Sequence, residues 1–333
     1  MRHSGIRLKE RRFGSIQGTA RSPLAGPSLA ARASRKAALL FAALLMLGCS
    51  VSQRPVESTA RLLGTHSKVG NGMVSSYSEV GKDGIPNAIG IVFQARALQG
   101  LPAEYSGGHE CYDQSNDGQL DLEGECFATH EWTIPLPGDI ARRSDVPFKW
   151  VGLNWNPQGH TPRGVYDLPH FDVHFYLEPI ERIFSIQPGP CGPEYVRCDQ
   201  FKLGTNSLPS NYMHADFKNV NAVVPAMGNH LVDQTAPEFR GDRFTQAWIY
   251  GVYDGRVTFF EQMVTQAYLL SRPAECFPIK SPPSVGVRGF YPTRYCIRYL
   301  APTDEYTVSM ENFVLRDAGA PATPVDELRR TAK

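Results

Sequence analysis

The sequence predicts a mainly β protein, a sandwich or barrel with long disulfide-pinned loops and few short helices. Three observations carry that expectation. Apolar residues come in short runs, rich in β-branched and aromatic side chains, that stop at Gly, Pro, Asn or Asp. The 333 residues include 26 Pro and 30 Gly, which interrupt long helices and supply turns. Six cysteines follow an apolar leader that ends at a seventh, Cys49.

The elements follow in chain order. Residues 1–48 hold nine Arg or Lys against one acid, Glu10. Arg35-Lys36 precede the apolar run AALLFAALLMLG at 37–48. Twelve helical residues reach about 18 Å, short of the ~30 Å hydrocarbon core of a bilayer, so the run reads as a signal-peptide h-region. Leu45-Met46-Leu47-Gly48-Cys49 resembles a bacterial lipoprotein processing site, with Cys49 as the lipidated first residue of a membrane-anchored envelope protein. Residues 49–85, polar and Gly/Ser-containing, are expected to be a flexible tether. A single β-rich domain is expected over 86–316 and a disordered Pro/Ala tail over 317–333.

Within the domain, strands are expected at Ala88–Leu98, Cys126–Leu136, Lys149–Trp155, Phe171–Leu177, Trp248–Val252, Val257–Met263 and Tyr295–Leu300. Asp254-Gly255 between two of these runs marks a hairpin. Helix is expected only at Glu178–Phe184 and Gln262–Ser271.

The cysteines place the chain in an oxidising compartment. Cys111, Cys126, Cys191, Cys198, Cys276 and Cys296 allow fifteen pairings, and loop closure favours Cys111–Cys126, Cys191–Cys198 and Cys276–Cys296. None has the C-x-x-C spacing of a structural zinc site. Beyond residue 48 the chain carries 25 basic and 32 acidic residues, a net of −7, which argues against a nucleic-acid partner. No G-x-S-x-G, P-loop or G-x-G-x-x-G motif is present.

The densest chemistry lies in WNPQGHTPRGVYDLPHFDVHFY, residues 155–176. On a strand, His170, Asp172, His174 and Tyr176 share one face and Phe171, Val173 and Phe175 the other. Imidazole with carboxylate suits a transition-metal ion of open identity. His160 follows a Gly and is expected to return over the same face. The bend Pro225-Ala226-Met227-Gly228-Asn229 presents His230, and Glu261 adds a carboxylate. The expected ligands are therefore His160, His170, His174 and His230, with one ion held chiefly by His170, His174 and His230. Asp172 or Glu261 would be the proton acceptor in any metal-activated water chemistry. Whether the chain is an enzyme stays open. The competing reading is an envelope binding or scaffold protein whose histidines are structural. Cupins pair His-x-His and Glu with Pro-x-Gly-x-x-His; Asp172-Val173-His174 with Glu178, and the spacing before His230, match that pattern poorly.

Asp113, Ser115, Asp117 and Asp121, with Gly118 between, have the spacing of the first nine residues of an EF-hand calcium loop, although Gly124 stands where the bidentate Glu belongs. His130 and His214 lack a motif around them and read as structural.

Three blocks, WNPQGHTPRGVYDLPHFDVHFY, VPAMGNHLVD and AWIYGVYDGRVTFFEQMVT, resemble an uncharacterised family of secreted bacterial proteins defined by a domain of unknown function. The resemblance covers about residues 147–270. It implies an exported β-rich domain in which the His-bearing segments are hallmarks, and it brings no reaction with it.

Overall fold

Runs with period-2 patterning pair into two antiparallel sheets. The computed structural model describes residues 60–104, 130–186 and 197–319. The strands begin with β1 (Leu62–Val69), β2 (Gly72–Val80), β3 (Pro86–Gln94), β4 (His130–Pro135), β5 (Trp150–Asn156) and β6 (His170–Tyr176). They continue with β7 (Phe217–Val224), β8 (Gly228–Asp233), β9 (Gln246–Tyr253) and β10 (Arg256–Thr265). The last three are β11 (Ala274–Pro278), β12 (Gly289–Leu300) and β13 (Glu305–Arg316). One sheet has the order β1-β2-β3-β13-β12-β11 and the other β4-β5-β6-β10-β9-β8-β7.

The sheets pack face to face as a β-sandwich. Phe171, Val173 and Phe175 of β6 point into the shared core, as expected from their alternation. Phe93 of β3 meets Phe171 with ring centroids 5.1 Å apart, and Trp248 of β9 stacks on Tyr295 of β12 at 4.9 Å. Each such buried ring contributes roughly 2–3 kcal/mol of apolar transfer energy. At the Asp254-Gly255 hairpin both residues have positive φ, 52° and 69°, as a tight turn matching strand twist requires.

Several expectations need correction. The segment expected to be a tether contains β1 and β2, and β2 pairs with β3 along its length. Its polar look misled because its serines are buried with partners far along the chain: Ser76 Oγ donates to the Pro135 carbonyl and Ser78 Oγ to Asp139, 2.9 Å away. The helix expected at Gln262–Ser271 exists only as α4 (Gln266–Leu270), because Gln262–Thr265 complete β10. Helices also form at α1 (Gly138–Ala141), α2 (Ile180–Phe184, within the expected stretch) and α3 (Cys198–Gly204). The start of the expected tail is docked: Ala318 bridges Val285, and Gly319 N–H donates to the Val285 carbonyl at 2.8 Å. Cys276 and Cys296 face each other across β11 and β12 and form the expected disulfide. Cys198 is disulfide-bonded too, while its expected partner Cys191 lies outside the described residues. So do Cys49, Cys111, Cys126, the signal segment, and Asp113, Ser115, Asp117 and Asp121 of the calcium-loop reading.

The outer face of the seven-stranded sheet is not bare. Two apolar clusters cover it, one built on Trp150, Tyr176, Val224, Met227 and Phe259, the other on Tyr166, Phe244, Ile249 and Met263. The polar side chains of β6 lie between them.

Candidate metal centre

Strand alternation turns His170, Asp172 and His174 onto this outer face, yet all three are buried, two of them completely. Glu261 of β10 stands directly opposite His174 in the ladder and is also buried. His230 of β8 reaches toward Glu261 across β9, where its register partner is Gly251. A Cβ on Gly251 would lie 2.0 Å from the Phe259 ring, so only glycine leaves that ring its place. Phe259 packs 4.8 Å from His174 and 5.1 Å from His230, walling both imidazoles from the side. His160 sits in the loop after β5. Gly159 before it has φ +78°, and a Cβ there would meet the Tyr166 carbonyl oxygen at 2.1 Å, so the turn that returns His160 to the sheet requires glycine.

The six residues form two sets rather than the single set expected. His174, His230 and Glu261 bring one ligand atom each to within 4.8 Å of one another, and His160, His170 and Asp172 do the same. His170 and His174 do not share a set. They are two same-face steps apart on one strand, about 13 Å by strand rise, with Asp172 between them. A third group, Cys276, Cys296 and Glu311, is no ligand set, because its sulfurs are joined in the disulfide. Glu178 points elsewhere, toward Arg182. His130 contacts the Glu104 carbonyl and His214 accepts from the Asp216 amide, both apart from the two sets.

Backbone carbonyls dictate the imidazole tautomers. His160 Nδ1 lies 2.6 Å from the Thr161 oxygen, His170 Nδ1 2.6 Å from the Leu168 oxygen and His230 Nδ1 3.1 Å from the Ala222 oxygen. A carbonyl only accepts, so each Nδ1 carries the proton, and in the neutral ring Nε2 presents a lone pair. Each of these Nε2 atoms is aimed at a carboxylate. His170 Nε2 is 3.0 Å from Asp172 Oδ1, His160 Nε2 3.4 Å from Asp172 Oδ2, and His230 Nε2 3.7 Å from Glu261 Oε2. His174 Nε2 is 3.6 Å from the same Glu261 oxygen. Around an ionised carboxylate two such lone pairs repel unless a cation, a proton or a metal ion, lies between them. Backbone-anchored histidines beside carboxylates are also the usual outer-shell arrangement of metal ligands. His170 Nε2, Asp172 Oδ1, His174 Nε2 and Glu261 Oε2 are all buried without a hydrogen bond.

The electrostatics agree with this reading. Burial, opposed by Asp172 and reinforced by His230, lowers the His174 ring to about 3. Burial, opposed by the bond to the Ala222 carbonyl, lowers His230 to about 4. Both rings are therefore neutral and able to donate lone pairs. Burial, aided by the Asp172 charge, pushes Glu261 well above the carboxylate range. Burial opposes ionisation of Asp172 as well, but the positive charge and hydrogen bonds that His170 and His160 offer when protonated hold it well below that range.

Sequence reasoning missed several supporting residues. Asn156 Nδ2 donates to Asp172 Oδ2 at 2.7 Å. Tyr166 and Phe244 pack beside His160 and His170. Asn156 and Tyr166 were signalled only by their place in residues 155–176, Gly251 and Phe259 only by their place in the block 247–265, and nothing local marked Phe244. A cavity of about 280 Å³ reaches the site and is lined by His160, Asp172 and His230 together with Met227, Phe239 and Ile249. No protein-family model, curated protein or solved structure matches this chain.

Proposed function

We propose that this chain is an exported cell-envelope protein, anchored to the membrane through a lipid on Cys49, whose β-sandwich carries a transition-metal ion between His174, His230 and Glu261. One observation carries the metal reading: the two Nε2–Oε2 separations, 3.6 and 3.7 Å, in a buried set whose ligand atoms all lie within 4.8 Å. Those separations are too long for hydrogen bonds and near the edge of about 3.4 Å that ligands at ~2.1 Å make around a tetrahedral ion. Two imidazoles and a carboxylate suit Zn²⁺ or a non-haem Fe²⁺ and leave positions open. A bound ion of this kind supplies Lewis-acid polarisation and lowers the pKa of a coordinated water. The chain's residues would do the rest. Glu261 and Asp172 balance the positive charge, Phe259 excludes bulk water, and the apolar cavity wall favours a small ligand with an apolar body. The leader, Cys49 and the even cysteine count support the exported location, and the acidic mature chain argues against nucleic-acid binding.

Elemental analysis of the purified mature protein tests the centre. Stoichiometric metal that is lost in a folded His174→Ala/His230→Ala variant supports it. A metal-free native protein overturns it in favour of a binding or scaffold role with structural histidines. Mass spectrometry of the N-terminus tests lipidation, with an acylated Cys49 expected.

A further inference from the structure

We infer that the site holds two ions, the second a divalent transition cation bound between His160, His170 and Asp172. This inference rests on the metal reading of the neighbouring set, but it stands on different residues. His170 and Asp172 belong to the same strand and are 0% and 5% exposed. They face each other at 3.0 Å, yet His170 Nε2 and Asp172 Oδ1 make no hydrogen bond. The Leu168 carbonyl holds a proton on the far side of the His170 ring, so in its neutral form the ring turns a lone pair toward the carboxylate. The Thr161 carbonyl sets His160 in the same way, with its Nε2 3.4 Å from the other Asp172 oxygen. The three residues thus offer two nitrogen lone pairs and a carboxylate around one point, the same donor set as His174, His230 and Glu261. Separations of 3.0 and 3.4 Å match the ligand edges of about 3.0–3.4 Å around an ion with bonds near 2.1 Å.

Strand geometry then places the two ions side by side. Asp172 and His174 are neighbours on one face of β6, so the two centres are separated by roughly the 6–7 Å of a same-face step. Both open on the same cavity, which His160 and Asp172 of one set and His230 of the other help to line. His160, with a side chain 23% exposed on a loop, gives the second ion its route in.

The test is Zn²⁺ uptake by the chelator-stripped mature protein, read by equilibrium dialysis and elemental analysis. Two equivalents are expected for the wild type. Asp172→Asn and His160→Ala should each bind one, Glu261→Gln one, and Asp172→Asn/Glu261→Gln none. His160→Ala guards against misfolding of the buried variant, because it removes a side chain from a loop. One equivalent in the wild type, unchanged in His160→Ala and Asp172→Asn and lost in Glu261→Gln, would overturn the second ion and leave the first standing. No uptake by the wild type would overturn both.

Discussion

Replacing Glu261 by Gln should steepen the acid sensitivity of the metal-free protein. Burial holds His174 and His230 neutral, at about 3 and about 4, against an ordinary 6.5. By pH 5 the unfolded chain carries nearly two protons that the native state refuses. Stability therefore falls with pH, by about 2 kcal/mol per ring and about 4 kcal/mol in all. Glu261 works in the opposite sense. Burial raises it well above 4.5, so the native state keeps a proton that the unfolded chain has released. Stability gains about 1.4 kcal/mol per unit of falling pH wherever that proton stays bound in the native state alone, partly offsetting the loss from the two rings. Asp172, held low, is ionised in both states there and adds no slope. All other groups contribute alike to both proteins, so Glu261→Gln should lose more stability than wild type between pH 7 and pH 5, by about 1.4 kcal/mol for each pH unit over which native Glu261 stays protonated. Urea denaturation with chelator present, followed by tryptophan fluorescence at the two pH values, measures the difference. Equal losses in the two proteins would refute the assignment of a buried, protonated Glu261 beside neutral histidines.

Three further outcomes are expected. Zn²⁺ binding at His174, His230 and Glu261 must displace the Glu261 proton, so apparent affinity should rise about tenfold per pH unit below the point where Glu261 ionises unaided, and calorimetry in buffers of different ionisation heat should count that proton. Gly251→Ala drives a methyl into the Phe259 ring; a loss of about 1–3 kcal/mol in urea unfolding, with weakened metal uptake, is expected. Phe171→Ala empties the core between Phe93 and Trp155 and should cost about 3–5 kcal/mol by the same assay, while the outward-facing site residues keep their partners.

Much of the site was legible because a strand has a strict two-residue period. That period alone puts His170, Asp172 and His174 on one face and the aromatic residues on the core face, and the Gly before His160 signals the return of the chain. What misled was the assumption that one polar face makes one site. Rise along β6 separates His170 from His174, and each finds its own partners on other segments. The tether expectation failed for a related reason. The Ser-rich β2 reads as solvated from composition, but its hydroxyls meet Pro135 and Asp139, whose approach depends on how the sheets pack. β13 was missed although Tyr306, Val308 and Met310 alternate with Thr307, Ser309 and Glu311 in the period of a strand; Glu311 reads as a solvated charge in sequence, whereas Arg294 and Arg298 of the neighbouring β12 hold it.

Local chain chemistry by itself settled the β class, the turn at Asp254-Gly255, the inward and outward faces of β6 and the pairing of Cys276 with Cys296, since each depends on residues near in sequence or on a short loop closure. Tertiary structure alone decided which histidine meets which carboxylate. His230 is 31 residues from Glu261, and Glu261 is 87 from His174. The Leu168 and Thr161 carbonyls aim His170 and His160 from next to them in sequence, but ladder register, the missing side chain at Gly251 and the Ala222 carbonyl on the neighbouring strand aim His174 and His230 at Glu261, beyond the reach of a local motif.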